Sequence, residues 1–426
     1  MLFAPISNSH TGMTSLRHRT RALRCILLSI MVLWSAEGSA QTPLSLSEAV
    51  SFALSHRPEI RSALDRTGAA EYLQKQAGLI PNPRIFLQSE DLRSSHFNFW
   101  QDSETFAYAA ETLETSGRRA GRIATATQQL ESSRLQTEQL RVQIALRVRQ
   151  AYWTTLSAQR LAQLYREDSD YFRQIISYHQ ARFHEGKLAE VDLLRVRLEG
   201  ERVHAAEARA QLESERALLN LEREMASPHR ADWSLSESFE ALDPPAPTQP
   251  GVDPSLSRVE GQAAHQAIDA ARASLQLQKA SGRPDLEALA GYKRNLGDDT
   301  ALVGLQWNLP IFDRNQGAVA AAAADTRAAD QDYLAVRQQL FAQLSIAQRE
   351  YDLDREQYLK TFQPLRDQAV EISDISRAAY NEGGLDLLRL LDAERVRIEA
   401  EVSWVQALEN YHQSVVSLEY AEGVRP

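Results

Sequence analysis

A chain of 426 residues with 43% apolar content and 18 glycines is long enough for two or three ordinary domains, and its composition is neither disordered nor fibrous. Its formal net charge of −10 argues against nucleic acid as a partner, because nucleic acid selects basic patches. The single cysteine, Cys25, lies in a segment read below as removable, so no disulfide framework or thiolate metal site is expected.

Residues 1–40 read as an export signal. Arg17, Arg19, Arg21 and Arg24 precede a mostly apolar run from Cys25 to Trp34, and Gly38-Ser39-Ala40 offers small residues for cleavage before Gln41. Met13 is an alternative start. No later segment approaches 18 consecutive apolar residues, which excludes a helical membrane span but leaves open a β-barrel, whose signal per segment is weaker.

After Pro81 the pattern alternates. Arg84 to Asp91 and Glu104 to Glu114 read as strands, the second with Phe106, Tyr108 and Ala110 on one face. Phe97, Phe99 and Trp100 lie between them, where an interfacial aromatic girdle could sit. From Arg122 to Glu185 there is no glycine or proline, enough for a helix of roughly 95 Å. Leu161, Tyr165, Phe172, Ile176 and Phe183 form a one-face stripe along it. Gly186 ends this helix and a second runs from about Ala189 to Met225; so short a connection predicts an antiparallel hairpin with its tip near Glu185–Leu188. A proline-rich linker follows over 227–254.

The pattern then repeats about 196 to 203 residues on. Leu113 recurs as Leu309, Gly121 as Gly317, Glu185-Gly186-Lys187-Leu188 as Glu382-Gly383-Gly384-Leu385, and Leu193-Leu194 as Leu390-Leu391. Pro58 matches Pro254, whereas Pro81 matches Pro284 at a longer offset, which predicts a helix seven residues longer in the second copy. Ala301, Val303, Leu305, Trp307 and Leu309 alternate with Leu302, Gly304, Gln306 and Asn308, and Pro364 should bend the second hairpin. The expected division is 41–243 for the first copy, with strand pair 84–114 and hairpin 118–226. The second copy takes 244–426, with strand pair 285–310 and hairpin 314–423. The fold class is mainly α with a small β part. Four strands cannot close a barrel, since small barrels need about eight, so oligomerisation is expected.

Several segments together resemble the TolC-type outer-membrane efflux proteins. They are Leu44–Ala49 with His56-Arg57-Pro58-Glu59-Ile60, Ala77–Pro83, Leu113–Arg119, and Tyr380–Leu385 followed by Leu390-Leu391-Asp392-Ala393-Glu394-Arg395. The resemblance covers essentially everything after the signal. It implies a homotrimer whose four strands per protomer build a twelve-stranded barrel in outer-membrane lipid above a periplasmic tunnel of helical hairpins. It also implies docking of the tips onto a periplasmic adaptor and an inner-membrane RND-type pump. Asn82-Pro83 and Glu114–Arg119 look most like the branch that serves heavy-metal cation pumps.

By the same resemblance Asp392 lines the periplasmic aperture, where three-fold symmetry makes a ring of charges able to select cations. Arg389 stands where relatives often carry another acid, and its i,i+3 spacing allows a pair with Asp392 that would weaken the acidic ring; Asp386 completes the aperture set. Gly186, Gly383 and Gly384 are expected in left-handed turns at the tips. With Asp192, Leu193 and Leu390 they form the expected adaptor contacts, although Leu193 and Leu390 could equally pack inside the hairpins. His179 and His184 are five apart with no third ligand, and His204 and His412 stand alone, so no metal site is expected. No phosphate loop, nucleophile motif or cofactor signature appears, and the reading is a passive duct, not an enzyme. A type I secretion duct and a periplasmic coiled-coil adaptor are the alternatives, the latter disfavoured by two hairpins separated by strand pairs.

Overall fold

Ser45 opens the first helix with a reciprocal cap, its hydroxyl accepting from the Glu48 amide while the Glu48 carboxylate accepts from the Ser45 amide. This computed structural model describes residues 42–92, 96, 98–227, 233–242, 253–295 and 298–425. The expected signal, Phe97 and the proline-rich part of the linker lie outside the described residues.

The helices are α1 Leu46–His56, α2 Pro58–Ala77, the short α3 Phe99–Asp102, α4 Arg118–His184, α5 Glu190–Met225, the short α6 Pro254–Ser257, α7 Val259–Ser281, α8 Gln316–Gln357, α9 Gln363–Asn381 and α10 Leu387–Glu422. The strands are β1 Thr42–Leu44, β2 Arg84–Glu90, β3 Glu104–Leu113, β4 Trp233–Leu235, β5 Leu286–Asn295 and β6 Asp298–Trp307. At 67 residues α4 is about 100 Å long. It packs antiparallel to α5 so closely that a Cβ on Gly200 would meet the Ile176 Cδ1 at 2.5 Å. Before Pro364 the second hairpin does not continue as a plain α-helix: a π-helical turn occupies Tyr358–Phe362 and Pro364 falls in the first turn of α9. The local disruption predicted from proline is therefore taken up by a widened turn on its N-terminal side.

The duplication is visible in side chains. Arg57 holds Glu59 at 2.8 Å and Glu224 at 3.0 Å, while Arg258 holds Glu260 at 2.9 Å and lies 4.5 Å over the Tyr420 ring. Both arginines precede the first residue of equivalent helices, α2 and α7. This corrects the pairing of Pro58 with Pro254, because Pro254 begins the separate turn α6. The second helix has 23 residues against 20, three more and not seven. Gly117 and Asn315, at φ of 85° and 60°, likewise occupy matching left-handed positions before α4 and α8.

The four long strands form one antiparallel sheet in the order β2-β3-β5-β6, so β2 and β6 are edges. Directly paired residues point to the same face. One face carries Ile85, Ala109, Ala290 and Val303 in one row, Leu87, Ala107, Tyr292 and Ala301 in the next, and Leu113, Leu286 and Trp307 at the foot. Ile85, Leu87 and Val303 are 78%, 78% and 80% exposed. The opposite face carries Arg84 paired with Glu287 and Lys293 paired with Glu104, and there Phe86 stacks on Tyr108 at 4.9 Å beside Gly291. Phe106, Tyr108 and Ala110 thus lie on the charged face, opposite Val303 and Leu305.

The main core lies beside the middle of α4. Ile144, Val148, Tyr152 and Leu156 pack with Ala49 and Ala53 of α1, Leu221 and Met225 of α5, and Trp404 to Val416 of α10. The Tyr152 hydroxyl donates to the Leu44 carbonyl at 2.8 Å, fixing the parallel β1–β4 pair to this core. A smaller cluster of Phe172, Val196, Val203, Leu387 and Leu391 lies toward the tips.

Candidate functional site

Each tip is built by the same C-terminal motif. In the first, Gly186 has φ 72° and the amides of Gly186 and Lys187 donate to the carbonyls of Phe183 and Arg182, both at 2.9 Å. In the second, Gly383 has φ 80°, and the amides of Gly383 and Gly384 donate to Tyr380 at 3.0 Å and Ala379 at 2.8 Å. Only the first position of such a motif needs the left-handed conformation. Gly384 occupies the second, equivalent to Lys187, so the expectation of a left-handed Gly384 is corrected.

Asp386 caps α10, accepting from the Arg389 amide at 2.9 Å. That cap draws the Arg389 guanidinium to Asp386, 3.6 Å away, and Asp392 pairs instead with Arg395 at 3.0 Å. The Arg389–Asp392 pair that the spacing allows is therefore not formed: both i,i+3 partners satisfy the spacing, and Arg389 takes the capping residue Asp386. Asp192 pairs with Arg195 at 3.4 Å. Leu193 and Leu390 are 4% and 2% exposed, so they fill the hairpin interior, while their neighbours Leu194 and Leu388 face out. Between α5 and α10 a groove of about 200 Å³ is lined by Leu198, Leu388 and Leu391, with Arg195, Glu199, Asp392 and Arg395 around it.

Polar contacts between the hairpins escaped the sequence reading, His179 with Tyr380 and Asp168 with Arg397 among them. The His179 ring is 1% exposed, and its Nδ1 lies 2.8 Å from the Ile175 carbonyl, which can only accept. Nδ1 therefore carries the proton, and Nε2 accepts from the Tyr380 hydroxyl at 2.6 Å. Burial is the main influence holding the imidazole below its ordinary pKa, against the raising effect of the Ile175 contact.

Farther from the tips is a buried ionic cluster. Arg377 of α9 donates to both oxygens of Glu394, which also accepts from Ser373 at 3.0 Å. Arg397 bonds Glu394, Glu401 and, across to α4, Asp168. Burial pushes the Glu394 carboxyl up, but Arg377 and then Arg397 outweigh it and hold it low; at Asp168 burial wins and the carboxyl is raised. Tyr171, under the Arg377 guanidinium at 4.1 Å, is pushed up to about 12 by burial and then by Glu394. A signal for this cluster existed: Glu394, Arg397 and Glu401 continue the stripe of Leu387, Leu390 and Leu391, so charges stand at inward positions.

Among the described residues no helix is long and apolar enough to cross a membrane. Comparison with known proteins agrees with the architecture. The cobalt-zinc-cadmium resistance protein CzcC of Cupriavidus metallidurans is 26% identical over 388 residues, covering 89% of this chain and 90% of that protein. The nickel-cobalt-cadmium resistance protein NccC of Alcaligenes xylosoxydans xylosoxydans is 24% identical over 318 residues, covering 73% and 71%. The open-state outer membrane channel MtrE of Neisseria gonorrhoeae shares the fold with a TM-score of 0.75 at 19% identity, covering 89% and 88%. The family model for outer membrane efflux proteins matches residues 49–226 and 258–424, and the chain belongs to that family.

Proposed function

We propose that this chain is one protomer of a homotrimeric outer-membrane duct that passively conducts heavy-metal cations delivered by a periplasmic adaptor and an inner-membrane RND-type pump. The observation that carries this reading is the four-stranded sheet joined to two long hairpins: one face is mainly apolar, with Glu111 in the row of Leu305 and Arg294 and Asp299 at its far end, the other carries Arg84, Glu287, Lys293 and Glu104, and among the described residues β2 and β6 are unpaired edges. Edge strands seek partners. Joining β6 of one protomer to β2 of the next removes every edge in a trimer and gives twelve strands, with the apolar face in lipid and Arg84, Glu287 and Lys293 toward the lumen. The similarity to CzcC and NccC supports metal cations as cargo.

In this reading the tips bound the periplasmic aperture. Asp392, exposed beside Arg395, supplies the charge ring, and the Asp386–Arg389 pair stands one turn nearer the tip. The turns at Gly186 and Gly383-Gly384, with Asp192 and the buried supports Leu193 and Leu390, form the adaptor-contacting ends.

Fractionation should recover heat-modifiable trimers in the outer membrane; a soluble monomer would refute the duct. Deletion should lower tolerance of zinc, cobalt and cadmium while leaving protein secretion intact, and the opposite pattern would assign a secretion duct. In planar bilayers Asp392→Ala should raise conductance and weaken cation selectivity.

A further inference from the structure

One carboxylate stands inside the apolar face of the sheet, with apolar rows on both sides of it. Strand pairing puts Glu111 in a row with Ala288 and Leu305; Ala109, Ala290 and Val303 form the next row above, and Leu113, Leu286 and Trp307 the row below, at the foot. Glu111 is exposed, and among the described residues no hydrogen bond or ion pair reaches its carboxylate. The neighbouring glutamates of the same stretch are paired, Glu104 with Lys293 and Glu114 with Arg122. No cation of the sheet is placed to do the same for Glu111. Arg84 and Lys293 lie on the opposite face, holding Glu287 and Glu104. Arg294 shares the face but stands six residues farther along, about 20 Å away. The arginines that follow β3 are engaged: Arg118 with Asp285 at 3.2 Å, Arg119 on the Gly78 carbonyl at 2.7 Å, and Arg122 on Glu114. Assembly of copies through β6 brings no cation either, since that strand contains no lysine or arginine. Beside Glu111, on the side away from the foot, is a shallow depression of about 630 Å³, lined largely by the small residues Ala109, Ala288, Ala290 and Gly304.

We propose, on the reading of this face as lipid-facing, that Glu111 is the headgroup site for a phospholipid with a primary ammonium, phosphatidylethanolamine, bound once per protomer at the periplasmic end of the sheet. A carboxylate set among apolar side chains in lipid needs a counter-charge, and ionisable groups in such places mark binding sites. The ionised carboxylate only accepts hydrogen bonds, and a primary ammonium only donates them, through three N–H groups. A bare metal ion is a poor occupant, because one carboxylate cannot replace its shell of oxygen ligands. An ammonium carried on a phospholipid brings acyl chains, which cover the alanine-lined depression and Val303. The geometry suits that order of parts. Glu111 is two residues from the foot row, about 7 Å along the strand, so the headgroup stays at the membrane surface while the chains run up the face. An anionic headgroup is repelled by Glu111, and a trimethylated ammonium has no N–H to offer it.

The test reads the lipids retained by purified trimers. Trimers are exchanged into nanodiscs holding equal amounts of phosphatidylethanolamine, phosphatidylcholine and phosphatidylglycerol, and the lipids still bound on release are counted by native mass spectrometry. The unmodified protein should keep phosphatidylethanolamine several-fold over either other lipid, up to one per protomer. Glu111→Gln, with heat-modifiable trimers retained, should bring that lipid down to the level of the other two. Equal retention of all three by the unmodified protein overturns the site without recourse to any variant. So does undiminished phosphatidylethanolamine in Glu111→Gln, and a preference for phosphatidylglycerol would move the lipid contact to the arginines at the foot. A spin label on Val303→Cys, one row away on the same face, reports separately on the underlying reading. Oxygen should reach that label better than a water-soluble nickel complex does. The reverse order removes this face from lipid and the barrel reading with it, whereas a lipid-exposed label without phosphatidylethanolamine preference overturns the Glu111 site alone.

Discussion

The Tyr380 hydroxyl donates to His179 Nε2 at 2.6 Å, joining α9 of the second hairpin to α4 of the first close above the tips. The imidazole reaches that role because its other nitrogen is committed to the Ile175 carbonyl. Tyr380→Phe leaves Nε2 buried and unpartnered, which should cost about 1–3 kcal/mol in the packing of the tips. Thermal unfolding and hydrogen exchange at residues 175–185 measure it, and an unchanged exchange rate speaks against the bond.

The same histidine gives the tips a pH dependence. Burial, the largest influence, lowers its pKa below the ordinary value of 6.5; Arg182 adds to this and Asp192 of α5 opposes it. A group whose folded pKa is depressed stabilises fully above its unfolded value and loses that contribution as pH falls through the window between 6.5 and the folded value. Acidification below 6.5 should therefore loosen the tips, and His179→Gln should flatten the response. Exchange at the tips followed from neutral to acid pH decides the matter; protection that rises on acidification reverses the sign and removes His179 as its source.

Adjacent glycines at the second tip should behave differently. Gly383 is left-handed, so Gly383→Ala costs roughly 1–2 kcal/mol of backbone strain. Gly384 has no positive φ, and an added Cβ makes only an ordinary contact with the Ala379 carbonyl at 3.6 Å, so Gly384→Ala should be close to neutral. Equal costs in denaturant unfolding would count against the turn assignment.

The two faces of β6 supply a matched pair at one depth. Val303 stands in the row of Ile85 and Ala290, while Leu302 stands in the row of Phe86, Tyr108 and Gly291 on the charged face. Val303→Arg should cost about 2–4 kcal/mol and lower trimer yield in outer membranes, whereas Leu302→Arg should assemble. The reverse ranking would place the lipid on the wrong face.

At Gly200 the two helices of the first hairpin approach closely. A Cβ there meets the tip of the Ile176 side chain at 2.5 Å, which a rotamer change relieves, but the branched Gly200→Val also presses on Phe172. Overpacking of this kind costs about 1–3 kcal/mol, so Gly200→Val should lower the melting temperature clearly and Gly200→Ala slightly.

What the residues determined on their own was local or periodic. The glycine- and proline-free run gave the long helix within a few residues of Arg118–His184, Gly186 and Gly383 gave the tips, and alternation gave the strands. These follow from backbone conformation and from the 3.6- and 2-residue periods, which depend only on neighbours in the chain. The repeat added the architecture because each copy had to build the same unit. Partner choice across hairpins needed the tertiary structure. Asp168 and Arg397 lie 229 residues apart, and each taken alone reads as a solvated charge on a wet helix. Whether Arg389 turned to Asp386 or Asp392 depended on a cap, and whether Tyr108 or Val303 faced the charged side depended on register. Spacing allowed each alternative; only the packing of one element on another made their energies differ.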